Sequence, residues 1–241
     1  MEECISVFDM LKIGVGPSSS HTLGPWRAAE RFLEELRQDF DLNSITRVKV
    51  DLYGSLSLTG KGHATDLAVM LGLSGQDPEY IPVQDIDGII KAIENNHLIQ
   101  LGNEKALPFY ILQDIVFHKE FLPFHANGLT FTAFFENETE YASTFYSIGG
   151  GFVVKEERSN AKKKIAIKCA FPFPINNAAE LLDYTQKENK SISEIVYANE
   201  ISMRPEAEVH SELLRIWNTM LECMYIGCHS EGILPGGLNV R

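Results

Sequence analysis

The sequence predicts an α+β fold, and three observations carry that prediction. Helical and strand periodicities alternate up to about residue 96. Aromatic and β-branched runs dominate from Leu107 to Tyr146. Beyond Phe171-Pro172-Phe173-Pro174 the periodicity is helical throughout.

Each element follows from its own pattern. Trp26, Ala29, Leu33, Leu36 and Phe40 recur every three to four residues, which predicts an amphipathic helix over 24–40. From Thr46 to Tyr53 apolar Val48, Val50 and Leu52 alternate with charged Arg47, Lys49 and Asp51, the pattern of a half-buried strand. The string GSLSLTGKG reads as a glycine/serine loop, and Ala64, Leu67, Ala68 and Leu71 then mark a second helix. A third is expected between Asp85 and Asn96. Leu107–Phe117, Leu129–Phe135 and Tyr141–Tyr146 read as strands, the last two joined by the turn-like ENETE. Gly149-Gly150-Gly151 and a short FVV piece follow, then a charged turn and a strand over 165–170. Residues 178–188 form a helix, and Ser191 with Glu194 is a capping box that opens the next. The last helix starts at Pro205 and carries Val209, Leu213, Ile216/Trp217, Met220 and Met224 on one stripe. That stripe suits either the core of a further domain or a seam with a second copy, and a homodimer is the expected assembly. An α+β domain is therefore expected over 1–165 and a helical part over 170–241, with the Phe-Pro-Phe-Pro segment as hinge.

Composition narrows the function. With 44% hydrophobic and 22% charged residues the chain is an ordinary folded protein. Its 21 Lys+Arg against 33 Asp+Glu leave a net charge of −12, which argues against nucleic acid or an anionic membrane as partner. No apolar run approaches the ~18 residues of a membrane span. MEECISVFDM lacks a basic start followed by an apolar core, so no secretory signal is read. Cys4, Cys169, Cys223 and Cys228 are too scattered for a disulfide framework, and the cytoplasm is the expected compartment.

Three strings can carry chemistry. Gly14-Val15-Gly16-Pro17-Ser18-Ser19-Ser20-His21-Thr22 precedes the first helix. Its glycines allow close backbone approach, its hydroxyls can donate, and the helix start favours an anion by ~0.3–1 kcal/mol. A small carboxylate or phosphate fits such a loop, as does a plain Ser/Thr helix cap with a flexible lead-in. The second string, Gly54 to His63, is not a phosphate loop: five residues separate Gly54 from Gly60, and Gly62 rather than Ser/Thr follows Lys61. It leaves His63 near a helix start, where the neutral form suited to a general base is favoured, although a surface capping histidine reads equally well. In the third, Phe124-His125-Ala126-Asn127-Gly128, Asn127 can orient His125 or bind substrate. His97, His118, His210 and His229 have solvated contexts, and no histidine pair has metal-ligand spacing. Ser147 and the glycines after it read as hairpin chemistry or as a second anion-holding nest.

Together, SVFDMLKIGVGPSSSHTLGPWRAA, LYGSLSLTGKGHATD, YSIGGGF and EGILPGGLNV closely resemble the single-chain bacterial L-serine dehydratases that depend on an iron–sulfur cluster. The resemblance covers essentially the whole chain in the same motif order. It implies conversion of L-serine to pyruvate and ammonia without pyridoxal phosphate, with a 4Fe-4S cluster acting as Lewis acid on the serine hydroxyl. It also implies a two-layer α/β sandwich like the allosteric substrate-binding domain of phosphoglycerate dehydrogenase, followed by the opening helices of a cluster-bearing α-domain. Under the resemblance Ser18, Ser19, Ser20, His21 and Thr22 bind the substrate carboxylate, with Asn127, Ser147, Gly149 and Gly150 nearby. His63 and His125 are the candidate general bases, His63 slightly preferred for its glycine-lined setting. None of the four cysteines lies in a cluster-binding context. The ligands are therefore expected beyond Arg241, and the 241 residues by themselves are expected to bind no metal and to be inactive. The alternative is a regulatory domain that binds serine and performs no chemistry.

Overall fold

The computed structural model describes residues 5–16, 18–156 and 171–233, with Lys61 described by its backbone alone. The chain divides into two compact units, one running from Ile13 through the strands and the other joining the residues up to Lys12 with the C-terminal helices.

The N-terminal helix α1 (Val7–Met10) belongs to the helical unit. In the α+β unit, a single π-helical turn (Ser19–Leu23) runs directly into α2 (Gly24–Asp39), then β1 (Ile45–Leu52) and α3 (Gly54–Thr59). A 3₁₀ turn (Gly60–His63) leads to α4 (Thr65–Leu73), α5 (Val83–Asn96), β2 (Leu98–Leu101), β3 (Lys105–Pro108), α6 (Ile111–Asp114) and β4 (Ile115–Phe117). The chain then forms β5 (Gly128–Phe135), β6 (Glu140–Gly149) and β7 (Phe152–Lys155). The unit is α+β: a five-stranded sheet in the order β4-β1-β5-β6-β7, with only β4–β1 parallel, and helices flanking it.

The alternation read in β1 sets the inner face. Val48, Val50 and Leu52 are buried beside Leu129, Phe131 and Ala133 of β5, and α2 lays Trp26, Ala29, Phe32, Leu33 and Leu36 into the same core. Phe32 stacks on Phe131 at 5.1 Å between ring centroids. Helix α4 packs on α2 at Gly72, where an added Cβ would stand 2.7 Å from both Trp26 O and Ala29 Cβ. Because α4 is buried nearly all round, its amphipathic signal is weak.

Two readings change. The single strand expected over Leu107–Phe117 is interrupted by α6, because the buried Asp114 carboxylate accepts from Tyr110 N–H at 2.7 Å and from Arg47 Nε at 2.6 Å. The chain is thereby drawn into a turn, which leaves β3 paired with β2 in a separate two-stranded sheet. The glycine/serine loop is instead α3 and its 3₁₀ extension, closed by Ala64 in the left-handed region at φ 55. The strand expected over 165–170 lies outside the described residues.

The helical unit contains α7 (Ala178–Glu188), α8 (Ile192–Met203) and α9 (Glu206–His229). Ser191 and Glu194 form the expected capping box, and Pro205 caps α9. The Phe-Pro segment is bound to α8: Asn199 Nδ2 donates to Phe173 O at 2.7 Å and Asn199 Oδ1 accepts from Phe173 N–H at 2.9 Å. Helix α1 is held by the buried Glu200 carboxylate, which accepts from Ser6 Oγ and Val7 N–H, each at 2.7 Å. On α9 only Val209 is buried; Trp217, Met220 and Met224 of the predicted stripe are exposed. Among the described residues no helix is long and apolar enough to cross a membrane.

Candidate functional site

The serine string folds back on itself. Ser18 caps the π-helical turn, its hydroxyl accepting from His21 N–H at 3.2 Å. Gly16 has φ +112, and an added Cβ would lie 2.3 Å from Thr22 Cγ2. At Gly24 a Cβ would lie 1.9 Å from Ser147 Oγ. Gly16 in the string and Gly24 at the start of α2 are thus required for the loop to close on its own helix and on β6. Ser19 is exposed, and among the described residues its hydroxyl has no hydrogen-bond partner. The amides of Ser19 and Ser20, at the open end of the turn, have no acceptor among them either.

His21 is tied at both ring nitrogens, Nδ1 to Ser20 Oγ and Nε2 to Ser55 Oγ, each at 2.9 Å. Its ring lies 4.9 Å from that of His63, tilted by 38°. Burial and then the neighbouring His63 hold His21 below the ordinary imidazole range, against a raising contact from Ser55. Thr22 Oγ1 donates to His63 O at 2.8 Å and Thr65 Oγ1 to His21 O at 2.6 Å, which locks the two histidine backbones together.

The two candidate bases differ in tautomer. His63 Nδ1 is 3.0 Å from Thr59 O. A carbonyl can only accept, so the proton of the neutral ring sits on Nδ1 and the lone pair on Nε2. His125 Nδ1 instead accepts from Asn127 N–H at 3.1 Å, so its neutral ring carries the proton on Nε2. Buried Asn127 donates through Nδ2 to Ser147 O at 3.1 Å, and Ser147 Oγ donates to Ser20 O at 2.8 Å. The end of β6 is thereby fixed to the serine loop. Gly149 and Gly150, at φ +101 and +59, make the tight turn into β7, and nothing packs within 4 Å of a Cβ placed on Gly149.

The fold therefore brings Ser18, Ser19, Ser20, His21, Thr22, His63 and Ser147 into one cluster. Asn127 joins it by a direct hydrogen bond, and His125 joins only through Asn127. Sequence reasoning missed Ser55 and Thr59. The spacing 55–59–63 was the available signal: four-residue steps line one face once GSLSLTGKGH is helical.

The family model for the serine dehydratase beta chain matches residues 6–158. The chain belongs to the serine dehydratase beta-chain family. It is 40% identical over 238 residues to an L-serine dehydratase of Haemophilus influenzae, covering 98% of this chain and 52% of that protein. It is 40% identical over 237 residues to L-serine dehydratase 1 of Escherichia coli, and 42% over 239 residues to an L-serine dehydratase of Streptomyces coelicolor, with the same coverages. The chain spans about half the length of the curated relatives it matches. All the described members of the cluster fall inside the stretch that the beta-chain model covers.

The described residues do not fit the cluster that the resemblance implies. Cys223 and Cys228 are both exposed on α9, and no group of three or more described His, Cys, Asp or Glu side chains could hold a metal ion.

Proposed function

We propose that this chain supplies the substrate-binding and proton-abstracting half of an L-serine ammonia-lyase. The observation that carries the reading is His63: Thr59 O fixes its proton on Nδ1, which leaves Nε2 an unprotonated base beside the serine loop. The serine carboxylate is received by the free amides of Ser19 and Ser20 and by the Ser19 hydroxyl, an arrangement in which backbone donors outweigh the −12 net charge because they act at contact distance.

His63 Nε2 then takes the α-proton. The Cα–H electron pair becomes the Cα=Cβ bond, the Cβ–O electron pair leaves with the oxygen as hydroxide, and the proton taken by His63 balances it as water; the resulting aminoacrylate tautomerises and hydrolyses to pyruvate and ammonia. Departure of the hydroxide would be helped by a Lewis acid, which the 4Fe-4S cluster implied by the resemblance would supply if held by ligands outside the described residues.

His125 is the weaker base in the same scheme, since its Nε2 carries the proton and serves as a donor. Steady-state pyruvate formation by the complete protein tests the assignment. His63→Ala lowers kcat by ~10²–10⁴, the usual worth of a general base. If the domain only regulates, kcat stays high and only the dependence on serine concentration moves.

A further inference from the structure

Ser55 has no role in the scheme above, yet it bonds His21 directly and reaches His63 through Thr59. Its hydroxyl holds His21 Nε2 at 2.9 Å while Ser20 holds Nδ1 at the same distance, so the imidazole cannot turn about Cβ–Cγ without breaking both bonds. Its carbonyl accepts from Thr59 Oγ1 at 2.9 Å, and Thr59 O is the group that orients His63. Ser55 is itself immobile. Its N–H donates to Ala126 O at 2.8 Å, and the preceding Gly54 sits at φ +54, where a Cβ would be 2.4 Å from Ala126 O and 2.7 Å from the Phe121 ring. From Ala126 the path continues through Asn127 Nδ2 to Ser147 O and from Ser147 Oγ to Ser20 O, which closes a circuit around His21.

We propose that Ser55 is a positioning residue for proton abstraction: its hydroxyl fixes the His21 plane against which the His63 ring lies, and so aims His63 Nε2. The proposal rests on the reading of His63 as base. A ring free to swing would displace the base from the α-proton, and misplacement of that order costs ~10–100-fold in rate.

Ring-¹⁵N NMR of histidine-labelled protein, alongside kinetics of the complete protein, tests it with Ser55→Ala and the isosteric pair Ser55→Thr and Ser55→Val. Removing the hydroxyl (Ala, Val) is expected to move the His21 Nε2 signal and to lower kcat ~10–100-fold with KM little changed. Ser55→Thr is expected to restore both. In a His21→Phe background, Ser55→Val is expected to add no further loss. Unchanged His21 signals in Ser55→Val, equal damage from Thr and Val, or losses that add in the double variant would each overturn the proposal. If Ser55→Ala fails to fold, the Thr/Val pair carries the comparison. Failure of the underlying reading is separable: His63→Ala would then leave turnover intact while the His21 signals still followed Ser55.

Discussion

Thr59 O and His63 Nδ1 lie 3.0 Å apart, four residues from each other along one face of a helical segment. That contact places the proton of the neutral ring on Nδ1 and leaves Nε2 as the nitrogen able to accept one. The opposite pattern at His125, where Nδ1 accepts from Asn127, gives a kinetic expectation. Under the proposed scheme His125→Gln should lower kcat by less than ~10-fold while raising KM, because a donor to substrate would be lost and no base removed. Substrate-saturation curves for the complete protein check this, and a collapse of kcat at unchanged KM would move the base to His125.

The contact between Gly24 and Ser147 predicts a packing defect. Gly24→Ala puts a methyl 1.9 Å from Ser147 Oγ, and forced overpacking of this kind costs about 1–3 kcal/mol. Urea unfolding should show that loss, and Ser147→Gly in the same chain should recover part of it, giving a favourable coupling in the double-mutant cycle.

His21 predicts a pH dependence of stability. Burial and the neighbouring His63 lower its folded-state value beneath the ordinary 6.5. Between those two values the unfolded chain binds more protons, so the contribution of His21 to stability is present above the unfolded value. It is lost as pH falls through the window, and the loss is complete below the folded value. Urea midpoints measured from pH 7.5 downward should therefore fall more steeply for the wild type than for His21→Gln, whose curve lacks this component.

Glu200 predicts local release. Glu200→Ala leaves Ser6 Oγ and Val7 N–H without their carboxylate, a loss of about 1–3 kcal/mol for buried groups. Limited proteolysis should then cut within α1 at a protease concentration that leaves the wild type intact. Equal resistance of the two proteins would contradict it.

Much of the fold was legible because burial follows period. The alternation of Val48, Val50 and Leu52 identified β1, and the spacing of Trp26, Ala29 and Leu33 identified α2. What the pattern could not show was tertiary: Asp114 breaks an apparently continuous strand through bonds to Tyr110 and Arg47, and one of those partners lies 67 residues away. The site was legible as a set of residue types. Its wiring was hidden, because Ser55 reaches His21 across 34 residues and Gly16 and Gly24 accommodate Thr22 and Ser147 of the same chain.

The most direct test of the account is calorimetric titration of L-serine into the complete protein carrying His63→Gln, which removes the base and leaves the carboxylate site in place. Saturable binding is expected, weakened about tenfold when Ser19→Ala is added, the usual worth of one hydrogen bond to a charged group. Identical affinity with and without the Ser19 hydroxyl, or no binding in either, would contradict the assignment of the serine loop to the substrate carboxylate.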